Sequence, residues 1–90
     1  MARVEFAAPL KNFTDNLERC EVSGKTAGDA MREIADRFPG MRDKLLKEDG
    51  TLRAYFIVLV DGRDIRMLER EQTPVRADSV IRIVPAIAGG

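Results

Sequence analysis

Histidine and tryptophan are absent from this 90-residue sequence, and cysteine and tyrosine occur once each, as Cys20 and Tyr55. Without histidine there can be no His-based catalytic triad and no His-ligated metal. A single cysteine excludes an internal disulfide, a four-Cys zinc site and a four-thiolate iron–sulfur cluster within one chain. Long apolar runs are also missing. A charge arrives by Arg3, and no stretch reaches the length of a signal peptide or a membrane span, so a cytoplasmic protein with no membrane partner is expected. Neither sign of charge dominates, since fifteen Lys and Arg balance fifteen Asp and Glu. That balance removes the usual electrostatic ground for a nucleic-acid partner. Carboxylates, lysines and hydroxyls remain for chemistry, together with the C-terminal carboxylate.

With 44% hydrophobic and 33% charged residues, the composition is that of one soluble globular domain. At 10.1 kDa, about two-thirds of the chain's surface can be buried, enough for a modest core. Val4 to Ala7 alternates and stops at Pro9, and Arg19 to Val22 alternates again, which predicts two strands of a hairpin with a loop over residues 10–18 between them. Thr26, followed three residues later by Asp29, opens a capped helix over residues 26–38. Met31, Ile34, Ala35 and Phe38 recur at i, i+3, i+4 and i+7 and define its buried face, and Pro39–Gly40 ends it. A second short helical segment fits Met41 to Leu46. Tyr55 to Val60 is a continuous β-branched and aromatic run, Asp61–Gly62 a tight-turn signal, Asp64–Ile65–Arg66 a short returning strand, and Val80 to Val84 the last strand. The fold class is α+β: a mixed sheet of four to five strands with one main helix across a face.

The ending carries the most chemistry. Pro85 removes a donor and fixes φ, so the folded domain is expected over residues 1–84 and a tail over 85–90. Ala86, Ile87, Ala88, Gly89 and Gly90 are small and uncharged. Extended, the six tail residues reach about 20 Å, thin enough to thread a narrow channel in a partner. A carboxylate is a poor electrophile and needs activation, and an unhindered glycyl carbonyl is the easiest for a nucleophile to approach. Such a chain is a group carrier, with the difficult chemistry supplied elsewhere.

That ending, with Thr26–Ala27–Gly28–Asp29–Ala30, Arg37–Phe38–Pro39–Gly40, Val60 to Arg66 and Thr73–Pro74, resembles the ubiquitin-like sulfur-carrier family of MoaD/ThiS type. That family includes the small subunit of molybdopterin synthase and the thiamine-pathway carrier. The resemblance covers nearly the whole chain, and the stretch Met41 to Arg53 is similar to the longer members, including carriers serving cysteine synthesis. It implies a β-grasp fold and a protein that is not itself an enzyme. It implies that Gly90 is adenylated by a ubiquitin-activating-like enzyme using ATP and magnesium, then converted to a thiocarboxylate by a sulfur donor. The sulfur would go to an acceptor synthase or its large subunit, with Gly89 keeping the tail thin and Pro85, Ala86, Ile87 and Ala88 docking in the partner. No cofactor is expected on the chain itself. Two departures stand out: Asp61–Gly62 where members often have Asn–Gly, and Asp78–Ser79 where Gly–Asp is usual.

Other readings compete. A ubiquitin-like modifier conjugated through Gly90 shares the activation step, and a plain β-grasp interaction domain needs no tail chemistry at all. Cys20, without a histidine to activate it, reads as a small packing residue rather than a sulfur site. Asp61 and Asp64 flank a turn but make too poor a ligand set for a metal. A single helix covers one face of the sheet, so either Phe56, Val58 and Val60 or Tyr55, Ile57 and Leu59 is left uncovered; the first set is taken as the partner surface.

Overall fold

The computed structural model describes residues 1–86. The first strand, β1 (Ala2–Phe6), starts two residues earlier than its alternation suggested. It pairs antiparallel with β2 (Arg19–Val22), Val4 opposite Cys20, which completes the expected hairpin. On its other side β1 runs parallel to β5 (Val80–Pro85), Val4 opposite Ile81. Antiparallel pairing joins β5 to β3 (Phe56–Val60), and β3 to the two-residue β4 (Arg63–Asp64). The sheet order is β2-β1-β5-β3-β4, so β5 is the central strand.

One face of this sheet is covered by α1 (Ala27–Arg37) and its neighbour α2 (Pro39–Leu45). Thr26 caps α1, its hydroxyl oxygen accepting the Asp29 N–H at 3.1 Å. The four residues of the predicted face, Met31, Ile34, Ala35 and Phe38, are all buried, and Ala27 and Ala30 join them. Phe38 meets Phe6 edge to face, centroids 5.9 Å apart. Pro39 does more than end α1. It is the first residue of α2, where its missing N–H costs nothing and its φ suits the new helix. Met41 and Leu45 then point into the same core.

The predicted loop over residues 10–18 contains order that its polar composition hides. Ala8–Phe13 is a 3-10 helix with Pro9 in its first turn, and Leu10 is buried beneath it. Thr14, fully buried, donates its hydroxyl to the Leu17 carbonyl at 2.9 Å. Leu10 and Phe13, the latter partly buried against the core, are too few apolar anchors in a polar stretch to establish a period.

The turn after β3 behaves as its residues require. Asp61 and Gly62 both hold positive φ, 51° and 86°, the pattern of a two-residue type I′ hairpin. The Asp61 N–H donates to the Val80 carbonyl and its carboxylate accepts the Val80 N–H, each at 2.9 Å, carrying the β3–β5 ladder one step further. The short strand predicted over 64–66 is shorter still. The Asp64 carboxylate accepts the Arg66 N–H at 2.9 Å and binds its guanidinium at 2.7 Å, bending Ile65–Met67 into a 3-10 turn. In the Arg76–Ser79 turn, Ser79 Oγ accepts the Arg76 N–H at 2.9 Å and no residue needs positive φ. Replacing the usual Gly–Asp by Asp78–Ser79 therefore places no strain on the backbone.

Asp61→Ala should lower stability by about 1–2 kcal/mol, because it strains the left-handed turn and leaves the Val80 N–H unmet. Asp61→Asn keeps both features and should cost less than half as much in urea unfolding.

Candidate functional site: the base of the tail and its two flanking faces

The last strand does not stop at Val84. β5 runs through Pro85, which lies opposite Phe56, and the Ala86 N–H donates to the Tyr55 carbonyl at 2.9 Å. Antiparallel pairs alternate between bonded and non-bonded. With Tyr55–Ala86 and Asp61–Val80 bonded, Phe56–Pro85 falls in a non-bonded position. The proline nitrogen thus faces away from β3, toward β1. There β1 has already ended at Phe6, and the Ala7 carbonyl accepts from Leu10 N–H instead. A residue without a donor fits where none is called for. β5 therefore ends at Pro85, with one further backbone bond from Ala86 to Tyr55 beyond it. Ile87, Ala88, Gly89 and Gly90, the outer part of the predicted site, lie outside the described residues.

The expected partner surface needs correction. Val58 and Val60 are each 5% exposed and belong to the core, and Phe56 is half-buried against it. The register explains why: Val58 sits opposite Ile83 and Val60 opposite Ile81, both fully buried on the helix-covered face. The uncovered face carries the alternate set. Ile57 lies opposite Val84, Leu59 opposite Arg82, and Tyr55, 62% exposed, beside Ala86. Arg53 stands over the Tyr55 ring with 5.8 Å to its centroid. The β1 side of this same face is charged, with Glu5 between Arg3 at 3.5 Å and Arg82 at 3.7 Å. An apolar strip is thus confined to the β5–β3 side, where the chain leaves the sheet.

The remaining candidates are already occupied in structural roles. Cys20 is half-buried on β2, and burial pushes its thiol up from the ordinary value despite the opposing pull of Arg37. A raised thiol is mostly protonated near neutrality and a poor nucleophile. The Asp61 carboxylate is spent on the Val80 N–H. Asp64 is held by Arg66, which keeps its carboxyl below the usual range. Among the described residues no three His, Cys, Asp or Glu side chains gather as metal ligands, and no helix is long and apolar enough to cross a membrane.

The sequence model of the ThiS family matches residues 4–90, the tail included. The chain belongs to the ThiS family. It is similar to ubiquitin-related modifier 1 of Encephalitozoon cuniculi, 32% identical over 84 residues, 90% of this chain and 88% of that one. A provisionally assigned sulfur carrier protein of Archaeoglobus fulgidus is 42% identical over 48 residues, and the match spans 53% of this chain but only 54% of that relative's length. Among solved structures, a chain of the Amycolatopsis orientalis BexX/CysO complex is 26% identical with a TM-score of 0.87, covering all of both chains. The small archaeal modifier protein 1 of Methanosarcina acetivorans, 22% identical, superimposes with a TM-score of 0.87 over 99% of this chain and 95% of its own. The fold is the ubiquitin-like β-grasp, and this ThiS-family chain has small carrier and modifier proteins as relatives.

Because Cys20 is a packing residue, Cys20→Ala should leave any reaction at the tail unchanged. Iodoacetamide should label Cys20 appreciably only above the ordinary thiol range, as followed by intact mass against pH.

Proposed function

We propose that this ThiS-family chain is a sulfur carrier whose C-terminal glycine, Gly90, is the loaded group. In the first step a Gly90 carboxylate oxygen attacks the α-phosphorus of ATP on an adenylating partner that also holds magnesium. Pyrophosphate leaves and an acyl-adenylate forms. A sulfide-level nucleophile from a sulfur donor then attacks the glycyl carbonyl, AMP departs, and a thiocarboxylate remains for delivery to an acceptor synthase in cofactor or cysteine biosynthesis. The chain supplies the carboxylate and its access; the partner supplies the catalysis. Gly89 and Gly90 present no Cβ to the walls of a narrow channel.

The observation that carries this reading is the family match reaching residue 90, on a chain whose last described residue, Ala86, is bonded to Tyr55 at the end of the central strand. The apolar strip of Tyr55, Ile57, Leu59 and Val84 beside the end of β5 supplies a surface on which an adenylating enzyme can seat. A second reading, conjugation to other proteins through Gly90, draws on the modifier relatives. It shares the adenylate and differs only in the nucleophile that follows.

Deleting Gly90 should abolish ATP–pyrophosphate exchange with the activating enzyme and leave the melting temperature unchanged. The full chain with enzyme, ATP, magnesium and sulfur donor should gain about 16 mass units, one oxygen replaced by sulfur, as the glycyl thiocarboxylate requires. Isopeptide-linked products without that gain would establish the modifier reading instead.

A further inference from the structure

We propose that the cleft beside the free edge of β3 takes an extended peptide segment of a partner protein, with one aliphatic side chain flanked by acidic residues. This inference does not depend on the tail chemistry. β4 is only two residues long, so among the described residues β3 has no neighbouring strand on that side past Leu59, whose partner is Asp64. The bonded pairs with β5 fall on the odd-numbered residues from Tyr55 to Asp61. Phe56 and Val58 therefore turn their backbone N–H and C=O groups toward the side that β4 abandons. A guest strand of a few residues can bond to such an edge. The opposite edge of the sheet is guarded: on β2, the outward Glu21 carbonyl accepts from Arg37 at 3.0 Å.

Beside this free edge lies a cleft of about 250 Å³ floored by Leu52, Phe56, Val58 and Ile65. Small-molecule sites usually occupy about 300–1,000 Å³. The space here suits one aliphatic side chain and its peptide group better than a cofactor. Cations rim it. Lys47 and Arg70 are exposed and, among the described residues, have no ion-pair partner, while Arg53 is half-buried beside them. The acids at the rim are committed, Asp64 to Arg66 at 2.7 Å and Glu71 to the Leu52 N–H at 3.1 Å. Arg70 itself stands in the left-handed region at φ 53°, a conformation uncommon for a non-glycine residue and often kept where it positions a side chain. On a chain of zero net charge, this unbalanced positive rim selects an acidic guest.

The test is a ¹⁵N NMR titration of the full chain with the blocked pentapeptide Glu-Asp-Ile-Asp-Glu, alongside a Lys-for-acid version of it. The acidic peptide should shift the Phe56, Val58 and Arg70 amides saturably. Binding should weaken at least about tenfold in the Lys47→Glu/Arg70→Glu variant and fall with added salt. Both substituted residues are exposed, and the variant's spectrum reports that it is folded. The proposal is overturned by absent or non-saturable shifts, by shifts centred on Arg19–Val22 or on Tyr55, Ile57 and Leu59, or by equal binding of the basic peptide. It also fails if deleting Gly90 alone displaces the Phe56 and Val58 amides, since the chain's own tail would then be the occupant.

Discussion

The pairing of β5 between β1 and β3 is the constraint from which the other features follow. Ile81 and Ile83 are fully buried between the sheet and the helices, and burying each is worth about 1.5–3 kcal/mol. The same pairing makes one row of side chains core and the other surface, because the strand period is two. A slip of one residue would bury Arg82 and expose both isoleucines. The register therefore fixes which side chains flank the end of β5, before any partner is considered.

The two edges of the sheet have been treated differently. On β2 the free carbonyl of Glu21 is taken up by Arg37, and Ser23 N–H by Glu33 at 2.9 Å, so the edge is tied to α1. On the far side, β4 ends because Asp64 binds Arg66 and turns the chain away. Edges left bare invite pairing with other chains. One has been closed with an arginine and the other left short beside a positively rimmed cleft, which confines strand addition to a single place.

Much of this was legible in the residues. α1 was readable because Thr26, Asp29 and the period of Met31, Ile34 and Phe38 all indicate one helix, and the structure adds only the packing of Ala27 and Ala30. Asp61–Gly62 was readable because the turn demands two positive φ angles and few residues tolerate them. The facing of β3 was not readable. Phe56 to Val60 is apolar on both sides, so its alternation carries no phase, and only the pairing of Val58 with Ile83 decides which set is buried. Leu10 and Thr14 were hidden for a different reason, since a short 3-10 helix anchored by Leu10 and Phe13 offers too few residues to establish a period. Pro85 was readable as the end of the last strand, and β5 ends there; its tolerance within the strand depends on where β1 stops, nearly eighty positions earlier in the chain. The cleft beside β3 joins the 47–53 stretch, β3 and the Arg70 turn, and no local pattern links segments so far apart.

Under the proposed sulfur-carrier reading, the fold's task is to present the end of β5 to a partner. The core is made by α1, α2 and the inward rows of β1, β5 and β3. Ala86, the last described residue, is tied to β3 by the bond from its N–H to the Tyr55 carbonyl, with the exposed row of β3 and β5 beside it. A partner that holds Tyr55, Ile57 and Val84 therefore also holds the end of the central strand and the Ala86 that is bonded to Tyr55.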